Sequence, residues 1–158
     1  WHRRALAIRE EIGDRAGLAT TYNNIGEVHR ARGDYDGALE WHRRALAIRE
    51  EIGDRAGLAT TYNNIAAIHY ARGDYDGALE WYEKSVAIKE ELGDRAGLAT
   101  TYNNIAAIHH ARGDYDAALE WMAKSLAIFE EIGAQANARI VRGNIAEVLR
   151  QMQNTTTD

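Results

Sequence analysis

Apolar positions along the chain fall into two alternating kinds of segment. In the first kind, Leu18, Tyr22, Ile25, Gly26 and His29 follow the spacing i, i+4, i+7, i+8, i+11, a single stripe on an α-helix. In the second, Trp41, Ala45, Ile48 and Ile52 form one stripe, with Leu39, His42 and Leu46 forming another beside it. Two adjacent stripes require burial against neighbours on two sides, which a single hairpin cannot supply. Glycine recurs every 20 residues, at 13, 33, 53, 73, 93, 113 and 133, and each of the first six is followed by Asp, at 14, 34, 54, 74, 94 and 114. Glycine accepts the left-handed conformation just past a helix end, and Asp is a strong N-cap for the helix that follows. Each Gly-Asp pair therefore predicts a stop and then a start. Helices of about 18 residues result, joined tightly enough to lie antiparallel.

A longer period contains this one. Tryptophan falls at 1, 41, 81 and 121, a repeat of 40 residues. Residues 1–40 and 41–80 differ at four positions only, Gly26/Ala66, Glu27/Ala67, Val28/Ile68 and Arg30/Tyr70. Residues 81–120 differ from 41–80 at nine positions, and the last block drifts further. The chain thus reads as a stack of helical hairpins.

Composition removes several function classes. The 158 residues include no cysteine and no proline, so there is no disulfide, thiolate ligand or thiol nucleophile, and the helices run unbroken. The net charge of −5 lacks the basic face that a nucleic acid requires. No apolar run is long enough to span a membrane, and Trp1-His2-Arg3-Arg4 does not read as a signal peptide. A cytoplasmic, non-catalytic module is expected, without cofactor or metal. His29, His69 and His109 sit on the packing stripe of equivalent helices, about 8–10 Å apart, too far to share a zinc ion. Arg-Gly-Asp occurs at 32–34, 72–74 and 112–114, as the helix joint repeated.

The residues Tyr22-Asn23-Asn24-Ile25-Gly26, Gly33-Asp34-Tyr35, Ala38-Leu39 and Ala45-Leu46 resemble the tetratricopeptide repeat. The likeness is to the longer variety of about 40 residues found in kinesin light chains, Pins-type polarity adaptors and bacterial signalling-ATPase sensors. It implies an all-α fold, a right-handed α-solenoid of stacked antiparallel hairpins with about eight helices. Two departures stand out: the family's proline after the second helix is missing, and His29, His69 and His109 replace a tyrosine-like packing residue. The register predicts one array over 1–152. Residues 1–12 match the second helix of a truncated repeat, 14–53, 54–93 and 94–133 are full repeats, and 134–152 form a capping helix before a flexible tail at 153–158. The C-terminus is thereby expected to be a true end of the array, and the N-terminus a cut.

In the family the first helix of each hairpin lines a concave groove. The resemblance places Thr20, Asn23, Asn24, Glu27 and Arg30 there, followed by Thr60, Asn63, Asn64 and Tyr70, then Thr100, Asn103, Asn104 and His110. Each amide both donates and accepts, which suits the backbone of an extended peptide. The plainer alternative, that the Asn pairs serve helix–helix contacts, stays open. Arg30 stands beside Glu27, so a clamp for an acidic tail is not expected. The resemblance implies a peptide or protein partner of modest charge, as for the sensor or adaptor part of a larger signalling protein. Self-association into a homo-oligomer is the alternative; neither nucleic acid nor membrane is expected as a partner.

Overall fold

The joints set the helices. A computed structural model describes residues 2–11 and 13–157, apart from the side chains of 9–11, and the expectations for Trp1, Ile12 and Asp158 lie outside the described residues. It contains α1 (His2–Glu11), α2 (Arg15–Ala31), α3 (Tyr35–Ile52), α4 (Arg55–Ala71), α5 (Tyr75–Leu92), α6 (Arg95–Ala111), α7 (Tyr115–Glu131) and α8 (Gln135–Thr155), with no strand among the described residues. All seven joint glycines adopt positive φ, between 66° and 77°, where a Cβ would be strained. Asp14, Asp34, Asp54, Asp74, Asp94 and Asp114 each accept a hydrogen bond from the backbone N–H three residues on, satisfying one of the orphan donors of the next helix. Among the described cap residues, only Ala134, ahead of α8, provides no side-chain cap.

Contacts group the chain into two compact units, residues 1–88 and 89–158. In the first unit α2 packs on α1, α3 and α4. Leu18, Ala19, Ala45 and Ile48 form one core cluster, and Ala38, Leu39, Ile65 and Ile68 the next, under Tyr35, Leu46 and Trp81. Removing Ile68, which is fully buried, to Ala is expected to cost about 2–5 kcal/mol. In the second unit α7 packs against α6 and α8 around buried Ile105, Ile108, Ile128, Phe129, Val141 and Val148. The buried Ser125 hydroxyl donates to the Ala99 carbonyl at 2.7 Å, tying α7 to α6.

Two details depart from the expectation. Helix α8 continues to Thr155, and the hydroxyls of Thr155, Thr156 and Thr157 donate to carbonyls one turn back, so residues 153–155, expected in the tail, are helical. His29 and His69 are half-buried and bind the capping aspartates Asp34 and Asp74 through Nδ1, each at 2.7 Å. They clasp the joint as well as packing in it.

Candidate functional site

The first hairpin places a hydrogen-bonded polar network on the side of α2 that carries the Asn pair. Asn23 is buried; its Nδ2 donates to Thr61 Oγ1 at 3.0 Å and its Oδ1 accepts from His42 Nδ1 at 2.9 Å. His42 is itself fully buried, and its other nitrogen lies 3.3 Å from Glu27 Oε1 without forming a hydrogen bond. Glu27 Oε2 meanwhile accepts two hydrogen bonds from Arg30, at 3.0 and 2.8 Å. Burial, which disfavours the charged ring, pushes the imidazole of His42 below its ordinary range, against the pull of the Glu27 carboxylate. The hydrogen bond to Glu27 raises Arg30. Gly26 makes the arrangement fit, since a Cβ there would lie 2.7 Å from His42 Nε2. Burial also pushes the Tyr82 hydroxyl up to about 12, with Tyr70 adding to the rise and Arg30 opposing it.

In the second unit the same positions lose their polar groups. Ala107 stands where Glu27 does, Met122 where His42 does, and Val141 where Thr61 does. Asn103 keeps its amide but has lost both kinds of partner, and its Oδ1 is buried without a hydrogen bond. A cavity of about 220 Å³ opens there. His110 Nε2 donates to Gln151 Oε1 at 2.6 Å, and Gln151 Nε2 donates in turn to Glu147 Oε1 at 3.2 Å.

The sequence-predicted residues therefore separate. Asn23 is an interior residue, because its amide is bonded at both ends, to Thr61 of α4 and to His42 of α3. Thr20, Thr60 and Thr100 are exposed, but their hydroxyls donate to the carbonyls of Ala16, Ala56 and Ala96, which leaves them accepting capacity only. Asn24, Arg30 and Tyr70 are exposed, while Glu27, Asn63, Asn64, Asn103, Asn104 and His110 are half-buried. Asn63 has a partner of its own. Asn144, Glu147 and Gln151 were not among the groove residues that the resemblance implies. Asn144 shares the register of Asn24 and Asn104, yet α8 reads as a polar cap.

A cavity of about 660 Å³ lies over Leu6, Ile25, Val28 and Trp41. Forty residues on, Leu46, Ile65, Ile68 and Trp81 surround Tyr35, Ala38 and Leu39. The cavity is thus a core position of the repeat. Among the described residues no group of three His, Asp or Glu side chains is placed to hold a metal, and no helix is long and apolar enough to cross a membrane.

Comparison with known proteins follows the same lines. A family model for the tetratricopeptide repeat matches residues 1–51, 17–91, 57–131 and 97–157. Aspartyl phosphate phosphatase F from Bacillus subtilis superposes with a TM-score of 0.90 at 16% identity, over 99% of this chain and 41% of that one. BtubC from P. vanneervenii gives a TM-score of 0.74 at 21% identity, over 96% of this chain and 72% of that one. A STAND signal-transduction ATPase with a tetratricopeptide repeat sensor, from Pyrococcus horikoshii, gives 0.80 at 16% identity, over 87% of this chain and 22% of that one. No curated protein sequence matches. At these identities the structural likenesses speak for the fold alone, while the family model spans all the repeats, and the chain is a member of the tetratricopeptide repeat family.

Proposed function

We propose that the chain is a protein-interaction scaffold that takes an extended peptide along the outward faces of its first-type helices, and that it is a binding module with no catalytic role of its own. The observation that carries this reading is the division of labour within the Asn pairs. In the first hairpin Asn23 is committed to the interior while Asn24 is exposed, and Asn64 and Asn104 keep part of their surface open. Amides repeated at 40-residue intervals offer a donor and an acceptor to each stretch of peptide backbone. Tyr70, exposed at 39%, is the aromatic anchor of that face. The Glu27–Arg30 pair leaves no uncompensated cation on α2 for an acidic tail. A scaffold with such a face fits the sensor or adaptor part of a larger signalling protein.

The test is a peptide-display selection on this chain and on a variant with Asn24, Asn64, Asn104 and Tyr70 all replaced by Ala. A motif enriched on the native chain and lost on the variant is the expected result. Equal enrichment on both, or none, overturns the peptide reading. A second reading, self-association, is favoured by the apolar cavity beside Trp41 and by the 50% exposure of Ile8. It predicts a weight-average mass that rises with concentration in sedimentation equilibrium, whereas a constant 17.7 kDa would refute it.

A further inference from the structure

The geometry points to a subsite for a primary ammonium group, such as a partner's lysine side chain, in the cavity between α6, α7 and α8. The inference rests on the binding-module reading and adds the chemistry of one anchor. Its first support is the shape and lining of the cavity. At about 220 Å³ it is smaller than the about 300–1,000 Å³ of pockets for whole small molecules, and suits one extended side chain. Ala107, Met122 and Val148 supply apolar walls, and Met122 and Val148 are buried, so an alkyl stem is received there.

The polar groups around it supply the second support, because they are weighted toward accepting. Asn103 Oδ1 has no hydrogen-bond partner, and the soft terminal torsion of an Asn side chain lets that oxygen turn into the cavity. Asn144 adds another amide, and Glu147 the one carboxylate. His110 donates to Gln151, and Gln151 to Glu147, so an oriented chain of hydrogen bonds ends on the carboxylate and holds it at the rim. The side chain of Arg150, 2.7 Å from Glu147, is 65% exposed and is not part of the lining; an exposed pair of this kind holds its carboxylate weakly.

Comparison of the hairpins supplies the third. At the equivalent positions of the first hairpin, His42 and Glu27 occupy this volume and the Asn amide is fully bonded. The replacements Ala107, Met122 and Val141 remove the carboxylate and both hydrogen-bonding partners, while the amide itself is kept. The Oδ1 of Asn103, buried and without a hydrogen bond, is costly unless something occupies it. An ammonium with three donors and no acceptor meets Asn103, Asn144 and Glu147, and an anion would meet the same carboxylate unfavourably.

The experiment is an NMR titration of the whole ¹⁵N-labelled chain with n-butylammonium, with n-butanol and sodium butyrate as neutral and anionic matches. Saturable shifts of the Asn103 and Asn144 side-chain amides are expected with n-butylammonium alone, with a Kd of about 1 mM. Glu147→Gln, a half-exposed and conservative change, is expected to weaken that binding by about tenfold. Equal shifts with n-butanol or butyrate, or none with any of the three, overturn the subsite. Peptide enrichment without n-butylammonium binding removes the subsite and leaves the groove reading standing. Binding of n-butylammonium without peptide enrichment does the reverse.

Discussion

Gly26 shows how a single atom fixes a hairpin. A Cβ at this position would stand 2.7 Å from Nε2 and 2.8 Å from Cε1 of a fully buried His42, and the ring has nowhere to withdraw. Overpacking of that kind costs about 1–3 kcal/mol, against about 0.5–1 kcal/mol regained when Ala replaces Gly in a helix. Gly26→Ala is therefore expected to lower stability by about 1–2 kcal/mol in urea unfolding, with Gly26→Ala/His42→Tyr recovering most of it, because Ala66 and Tyr82 already form that combination. The sequence comparison sees 26, 27, 28 and 30 change together and cannot tell packing from binding, since the partner of Gly26 lies sixteen residues away on the next helix. Asp74 gives a second case. Its carboxyl is held below the ordinary range by the Gly77 N–H first and by His69 second. A Cβ at 77 would stand 2.8 Å from His69 Nδ1, and where Ala117 carries one, His109 and Asp114 stand 3.8 Å apart. A carboxyl whose folded pKa is depressed stabilises the fold above its unfolded value of 3.8 and loses that contribution as pH falls through the lower, folded value. Gly77→Ala is expected to move the Asp74 titration, followed by ¹³C NMR, upward toward 3.8. An unchanged titration would show that the His69 contact and the short cap bond contribute nothing to it.

At the scale of the helix, legibility depends on how local the cause is. Every Gly-Asp joint was readable, because a left-handed glycine followed by a capping Asp is decided within a few residues. The residues at 49, 89 and 129 were not singled out, because their partners lie in the next helix or the joint before it. Arg49 is buried and reaches Asp54 at 3.2 Å. Lys89, also buried, donates to Thr101 Oγ1 at 2.8 Å and to the Gly97 carbonyl at 3.3 Å, and burial lowers its pKa while Asp94 opposes the shift. Phe129 replaces the cation in the last joint, and Ala134 replaces the Asp. Charge and cap were exchanged there together for apolar contact, which leaves α8 without a side-chain cap. Ala134→Asp is expected to return the cap and raise stability by about 0.5–2 kcal/mol. Thermal unfolding would then shift upward by about 2–4 °C for each kcal/mol gained. A fall in the midpoint would mean that a carboxylate beside Phe129, with no cation to meet it, costs more than the cap contributes.

Across the whole molecule, near-identical sequence does not make the hairpins energetically equal. Trp41 and Trp81 have matching surroundings on one side: each tilts against a tyrosine, at 5.4 and 5.5 Å between ring centroids, and each lies under a cation, Arg44 at 4.6 Å and Lys84 at 4.3 Å. They differ on the other side. Trp81 packs against the filled cluster of Ala38, Leu39, Ile65 and Ile68, while Trp41 borders a cavity of about 660 Å³. Missing contacts forfeit dispersion energy and leave apolar surface to water, and in a repeat array such losses stay local because each unit is coupled only to its neighbours. The repeat, its period and the helix ends could be read directly from the sequence, since all of them are periodic. Differences in stability between copies could not, since they arise from what lies beneath identical residues. Variants that keep one tryptophan, at 41 or at 81, with Phe at the other three positions, separate the two environments by fluorescence in urea. The Trp41 transition is expected at a concentration lower by about 0.5 M, the displacement that about 1 kcal/mol gives at ordinary slopes. Coincident transitions would show instead that residues 1–88 unfold as one cooperative body, with the cavity's deficit shared by every helix in it.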